Sequence, residues 1–114
     1  MAVAMVLRLP LPPRTYDALL ASLHLDASPP GGMILHIGAE GPEGIEVCEL
    51  WHTREAAESF LHDMLEPRLA QLGMAEPPEC SLLPLHNLYA PDLDTIERIG
   101  AVSLPGLSAG DVIQ

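Results

Sequence analysis

The spacing of hydrophobic and polar residues along the chain predicts the order of its strands and helices. A short apolar run, AVAMVLRL at residues 2–9, ends at the proline-rich stretch PLPP and predicts a first strand. From Pro13, apolar residues recur at intervals of three and four, which predicts a helix with proline in its first turn. The strand-like segment MILHIGAE, the turn GPEG and the alternating segment IEVCELWHT then predict a β-hairpin.

A second helix is predicted directly after this hairpin. Thr53 is a suitable N-cap, and Glu55 places a negative charge in the first turn, where it favours the helix dipole. Pro67 predicts a kink, and Gly73 is a natural end. One face of the helix is apolar along its length and consists of Ala57, Phe60, Leu61, Met64, Leu65, Leu69 and Leu72.

The last strand is predicted over residues 82–88, where Pro84 indicates an edge position or a bulge. The resulting order, β-α-β-β-α-β, belongs to the α+β class and predicts an antiparallel sheet with both helices on one face. The first, second and last strands are apolar at both alternating positions, although the two helices cover only one face. We therefore expect a second copy of the chain to cover the other face, giving a homodimer packed sheet to sheet.

Length, charge and cysteine content limit the partners and the location. A chain of 114 residues suffices for one domain, and its 16 acidic residues against five arginines give a net charge of -11. This charge opposes binding to nucleic acid or to an anionic membrane. Cys48 and Cys80 have no paired spacing and are expected to be free, buried thiols. Because no leader segment or membrane-spanning run is recognisable, a cytoplasmic location is expected.

The passage from the third strand into the second helix, CELWHTREAAESFL, resembles the strand-Trp-x-(Thr/Ser/Asp)-x-(Glu)-Ala pattern of the dimeric α/β barrel superfamily. This group includes the antibiotic biosynthesis monooxygenases. The β-α-β-β-α-β order and the segment LHNLYAP add to the resemblance, which covers residues 1–90. The resemblance implies a ferredoxin-like domain that dimerises into an α/β barrel. It also implies an enzyme of bacterial secondary metabolism that acts on an aromatic or polyketide-like molecule, although such folds host many chemistries.

The single tryptophan lies where the third strand ends and the second helix begins. In the family that the chain resembles, a tryptophan at this point tends to face the cavity, where Trp51 would wall an aromatic or polyketide-like ligand. A core or dimer-interface aromatic that contributes burial alone fits the pattern equally well. The sequence leaves both interpretations of Trp51 open.

The register of the hairpin predicts a polar cluster on one face of the sheet. If GPEG forms the connection, His36 lies opposite Glu49, and Ile34 lies opposite Trp51. A carboxylate beside an imidazole holds one tautomer, so the second ring nitrogen of His36 becomes a competent base. The alternative is a structural ion pair between His36 and Glu49, or a histidine and a glutamate that are exposed at the sheet edge.

Three further polar residues are candidates for the same cavity. His86 and Tyr89 have opposite parity on the last strand, so both reach one cavity only through a bulge at Pro84. Arg8 is expected to face the cavity or a carboxylate such as Glu49, because an unpaired buried guanidinium is too costly. The predicted catalytic residues are therefore His36, His86 and Glu49, and the predicted substrate-binding residues are Trp51, Arg8 and Tyr89.

The motifs of the common cofactor and metal sites are absent from the sequence. It has no glycine-rich phosphate loop, no HExxH or Cys/His ligand spacing and no Gly-x-Ser-x-Gly elbow, so neither a metal nor an organic cofactor is expected. The family resemblance implies a monooxygenase, cyclase or isomerase, in which His36 or His86 would abstract a proton in a dry pocket. The alternative is a dimeric ligand-binding or accessory protein whose polar groups only orient a ligand.

Residues 91–114 form an extension beyond the domain. A short helix is predicted to begin at Asp92 or Asp94 and to end at Gly100. Apolar residues among glycine, serine and proline in the remainder predict a segment that docks on its own subunit or on the partner, as a lid over the cavity. A disordered terminus is the alternative.

Overall fold

A computed structural model describes residues 1–25 and 27–102, and it confirms the β-α-β-β-α-β order. The second helix is divided into three parts, and a further helix follows the last strand. In chain order the elements are β1 (Val3–Leu9), α1 (Pro13–Leu23), β2 (Met33–Gly41), β3 (Gly44–Trp51), α2 (Arg54–Ser59), a π-helical turn (Phe60–Leu65), α3 (Glu66–Gln71), β4 (Glu79–Pro84) and α4 (Leu93–Val102).

The four strands form one antiparallel sheet in the order β2-β3-β1-β4. Alternate residues of the two central strands point towards the helices, so the core lies between one sheet face and the helical layer. The core side chains from these strands are Val3, Met5, Leu7, Leu9, Ile45, Val47 and Trp51. The helices contribute Leu19, Leu20, Leu23, Ala57, Phe60, Leu61, Leu65 and Leu69.

The second helix begins and ends as its sequence predicts, but it is irregular in the middle. The hydroxyl of Thr53 accepts a hydrogen bond from the backbone N–H of Ala56 at 3.1 Å, which confirms the N-cap. Pro67 has no N–H to donate within the helix. The irregularity expected there takes the form of the π-helical turn, in which the N–H of Glu66 bonds to the carbonyl of Leu61, five residues earlier.

Two predicted boundaries are wrong. Strand β4 ends at Pro84 rather than at Leu88, because its partner β1 begins at Val3, opposite Pro84. Helix α4 passes through Gly100 and continues to Val102, so this glycine does not end it. The expected docking of the apolar residues that follow this helix lies outside the described residues.

The sheet face opposite the helices carries exposed apolar side chains. Val6 is 40% exposed, Ile37 is 49% exposed and Leu83 is 52% exposed. Their strand positions alternate with those of the core residues, so they point away from the helical layer. Among the described residues, no helix is long and apolar enough to cross a membrane.

Candidate functional site

The hairpin places His36 opposite Glu49, as its sequence predicts. Strands β2 and β3 meet at Gly41 and Gly44, which leaves a connection of two residues between them. The predicted pairing of Ile34 with Trp51 is wrong, since a β-bulge between Met33 and Leu35 makes Met33 the partner of Trp51. The bulge lies beyond the His36–Glu49 pair and therefore leaves that pair intact.

Glu49 is the centre of a buried hydrogen-bond cluster. Its side chain is 2% exposed, and Oε2 lies 2.7 Å from Nδ1 of His36, whose side chain is 17% exposed. Nε1 of Trp51 donates a hydrogen bond of 3.1 Å to Oε1 of Glu49. Both carboxylate oxygens thus have partners, which offsets the cost of burying a charged group.

Tyr16 completes the cluster, and sequence reasoning missed it. Its hydroxyl oxygen lies 2.6 Å from Nε2 of His36, so the imidazole is held between a phenol and a carboxylate. Burial, then the nearby charges of Glu49 and Asp17, raise the pKa of Tyr16 from 10.0 to about 12. The signal was a hydroxyl-bearing side chain within the apolar stripe of α1, because an inward-facing tyrosine requires a hydrogen-bond partner for its hydroxyl.

The hydrogen-bond partners limit the proton arrangements that this cluster can adopt. With Glu49 ionised and His36 neutral, Nδ1 of His36 donates to Glu49, and Nε2 accepts from the hydroxyl of Tyr16. If Nε2 gains a proton, Tyr16 becomes the acceptor, and its own hydrogen is free to point elsewhere. The Tyr16–His36–Glu49 chain therefore has two consistent proton arrangements, which is the property that a proton relay needs.

Trp51 is completely buried in the described chain. Its ring is 0% exposed and packs against Phe60 with the ring centroids 5.2 Å apart. Trp51 therefore joins the core and donates to Glu49, in agreement with the interpretation of this residue as a core aromatic. Direct contact between Trp51 and a ligand stays a prediction.

His86 and Tyr89 do not join this cluster within one chain. Both are exposed, and both follow the end of β4, so the expected placement on a strand is wrong. Strand β4 is one edge of the sheet, whereas β2, which carries His36, is the other edge. Three strand spacings separate these edges by about 14 Å.

Arg8 lies on the face of the sheet opposite the cluster. Its register partner is Glu46, and its guanidinium forms ion pairs with Glu46 at 3.2 Å, Glu79 at 3.5 Å and Glu43 at 3.9 Å. The hydrogen bond and charge of Glu46, followed by the charge of Glu79, raise the pKa of Arg8. The expectation of a carboxylate partner is confirmed, but Glu49 as that partner is wrong, because Glu49 faces the helices.

The described residues form no cluster of metal ligands, and the two cysteines do not lie next to each other. No group of three or more His, Cys, Asp or Glu side chains within this part of the chain could hold a metal ion. Both thiols are free, but the expected burial is wrong, because Cys48 is only half-buried and Cys80 is exposed. Cys48 pairs with Val6 and Cys80 with Leu7, so the two thiols lie on opposite faces of the sheet.

The fold and the buried cluster together describe a small α+β protein with a ferredoxin-like arrangement, and comparisons with known proteins agree on the fold. No protein-family model matches the chain, and no curated protein matches its sequence. Among solved structures, its neighbours include two described as putative antibiotic biosynthesis monooxygenases and one described as a cofactor-independent oxygenase.

Three of these structures illustrate the likeness. Rv0793 from Mycobacterium tuberculosis is 19% identical with a TM-score of 0.58, over 79% of this chain and 100% of the other. A putative antibiotic biosynthesis monooxygenase from Chloroflexus aurantiacus is 20% identical with a TM-score of 0.53, over 78% and 98%. SnoaB, a cofactor-independent oxygenase from Streptomyces nogalater, is 13% identical with a TM-score of 0.52, over 76% and 93%. At these identities the likeness defines the fold.

Proposed function

We propose that the protein is a small cofactor-independent enzyme of the monooxygenase, cyclase or isomerase type, acting on an aromatic or polyketide-like molecule. The observation that carries this proposal is the partly buried Tyr16–His36–Glu49 chain, with contacts of 2.6 and 2.7 Å. The neighbour described as a cofactor-independent oxygenase shares the fold and supports the choice of chemistry.

The proposed step is proton abstraction through Tyr16. A substrate with an acidic C–H or phenolic O–H would give its proton to the hydroxyl oxygen of Tyr16 as the hydrogen of Tyr16 moves to Nε2 of His36. Glu49 would stabilise the imidazolium that forms. The raised pKa of Tyr16 opposes a free tyrosinate, so Tyr16 serves as a base only when His36 takes up its hydrogen.

The product of this step is an enolate or phenolate held beside a largely buried cluster. Such an anion would cyclise, isomerise or react with dioxygen as a second substrate, and the three outcomes correspond to the three reaction types. His36 and Tyr16 are only partly buried, so the cluster is reachable at the β2 edge of the sheet. Glu49 itself is buried, and a site shielded from water would strengthen its electrostatic contribution.

The enzyme is proposed to work as a homodimer. The exposed side chains of Val6, Ile37 and Leu83 form an apolar surface on the sheet face away from the helices. Apolar surface of this kind is typical of a sheet that packs against another sheet. A second copy would supply that sheet through a two-fold axis.

A ligand-binding or accessory protein is the second candidate function. In the described conformation Nε2 of His36 is already bonded to Tyr16, and Trp51 is completely buried. Because these groups already bond to one another, the cluster also fits a protein that orients a ligand without converting it. The experiment must therefore separate binding from turnover.

The test uses a panel of polyphenols, naphthols and quinones. Binding is followed by the fluorescence of Trp51, and conversion is followed by chromatography with and without dioxygen. We expect His36→Gln to keep binding but lose conversion by about 10²–10⁴-fold, as for the loss of a general base. The matched control is His62→Gln, because His62 also pairs with a glutamate, at 3.0 Å, but on the exposed side of its helix.

The two functions predict different outcomes for these variants. The enzyme requires that His36→Gln loses turnover while His62→Gln and His86→Ala retain it. The binding protein predicts that His36→Gln changes affinity alone, with no conversion by any variant. Conversion at the same rate by His36→Gln would exclude the proposed relay.

A further inference from the structure

Gly38 occupies a position in β2 where a side chain would collide with Tyr16. It lies two residues after His36 in the same strand, so both positions face the helices. A Cβ atom added at Gly38 would lie 2.8 Å from Cζ and 3.3 Å from Cε2 of Tyr16, and it would be closer still to the hydroxyl oxygen. Real Cβ atoms essentially never show contacts below 3.0 Å, so the phenol ring would have to move.

The backbone conformation does not account for this glycine. Gly32, Gly44 and Gly73 have positive φ angles, which L side chains rarely adopt, whereas Gly38 does not. Glycine in the interior of a strand has a conformational entropy cost and gives no packing. The ring of Tyr16 fills the space that a side chain at position 38 would occupy. The missing side chain of Gly38 therefore makes room for this ring.

We infer that Gly38 is a positioning residue, which leaves the room that Tyr16 needs to bring its hydroxyl against Nε2 of His36. The phenol ring lies nearly parallel to the imidazole, at an interplanar angle of 15° and a centroid distance of 6.1 Å. Any displacement that relieves a contact with a Cβ at Gly38 also changes the 2.6 Å hydrogen bond, because the hydroxyl is the closest atom. Gly38 therefore acts on the relay through Tyr16 and does not itself touch a substrate.

This inference deepens the proposed function, because it rests on the same Tyr16–His36 pair. The test of this inference measures the ionisation of Tyr16 and the unfolding of the protein rather than turnover. The inference can therefore fail while the proposed function holds, and the proposed function can fail while the inference holds. The variant is Gly38→Ala, made together with Tyr89→Phe so that Tyr16 is the remaining tyrosine. The matched control is Gly31→Ala, since a Cβ at Gly31 meets nothing within 4 Å.

The first readout is the alkaline absorbance titration of Tyr16. We expect the midpoint to fall from about pH 12 towards 10 in Gly38→Ala and to stay in place in Gly31→Ala. A nitrogen NMR signal of the His36 imidazole should shift in the first variant and not in the second. Unchanged titration and unchanged imidazole signals in folded Gly38→Ala would overturn the inference.

The second readout covers the case in which Gly38→Ala does not fold. The same substitution is made in a Tyr16→Ala background, where the added Cβ has open space in place of the ring. We expect Gly38→Ala to lower the melting temperature when Tyr16 is present and to leave it unchanged or raise it when Tyr16 is alanine. An equal loss in both backgrounds would show that Gly38 serves the strand and not Tyr16.

Discussion

The hydroxyl of Tyr16 lies 2.6 Å from Nε2 of His36 and links helix α1 to the edge strand β2. The imidazole extends this link to Glu49 on the next strand, so three elements share one chain of hydrogen bonds.

Glu49→Gln should reverse the tautomer of His36. The carboxamide can present its NH2 group to Nδ1, which must then accept, so the ring proton moves to Nε2 and faces Tyr16. Nitrogen NMR of the imidazole measures this change directly. Glu66→Gln is the control, because Glu66 pairs with the exposed His62. A His36 spectrum unaltered by Glu49→Gln would contradict the assigned proton positions.

The free energy of unfolding should fall between pH 10 and pH 12 because of Tyr16. Its pKa is raised to about 12 in the folded protein from an ordinary value of 10.0. Below pH 10, Tyr16 keeps its proton in both the folded and the unfolded chain, and its contribution to stability is fully present. Above pH 10, Tyr16 ionises first in the unfolded chain, so the free energy of unfolding falls until about pH 12. Urea unfolding at several pH values measures the slope, which should be smaller in Tyr16→Phe. Identical slopes would argue against the raised pKa.

Trp51→Phe should destabilise the fold beyond the loss of ring volume. The substitution removes the Nε1–H that bonds to Oε1 of Glu49 and leaves a buried carboxylate oxygen without this donor. An unsatisfied buried acceptor costs roughly 1–3 kcal/mol, which urea unfolding can measure. Phe60→Leu is the control, since Phe60 contacts the same ring but makes no hydrogen bond to Glu49. Equal losses for the two variants would mean that packing alone explains the effect.

Val6→Glu should convert the proposed homodimer into a monomer. Val6 is 40% exposed on the sheet face that would meet the second copy, and a carboxylate there would be buried without a partner. Light scattering should give twice the 12.2 kDa chain mass for the natural sequence and the single mass for the variant. Leu72→Glu, at a helix end with 44% exposure, should stay dimeric. A monomer in the natural sequence would remove the case for a barrel.

The amino-acid sequence determined the parts of this protein that depend on near neighbours along the chain. Hydrophobic periodicity gave the order of strands and helices, and Thr53 fixed the start of the second helix. The short hairpin connection set the His36–Glu49 pairing, since in a hairpin the turn determines the register.

Tertiary structure decided everything that depends on which face a segment presents and what packs against it. The first strand is apolar at both parities, so its sequence could not show that Arg8 faces Glu46 rather than Glu49. The strand order separates His86 from His36, and the packing of α1 on β2 brings Tyr16 to the imidazole. These relationships involve residues far apart in the chain and depend on the strand order and on which sheet face the helices cover, so no local pattern encodes them.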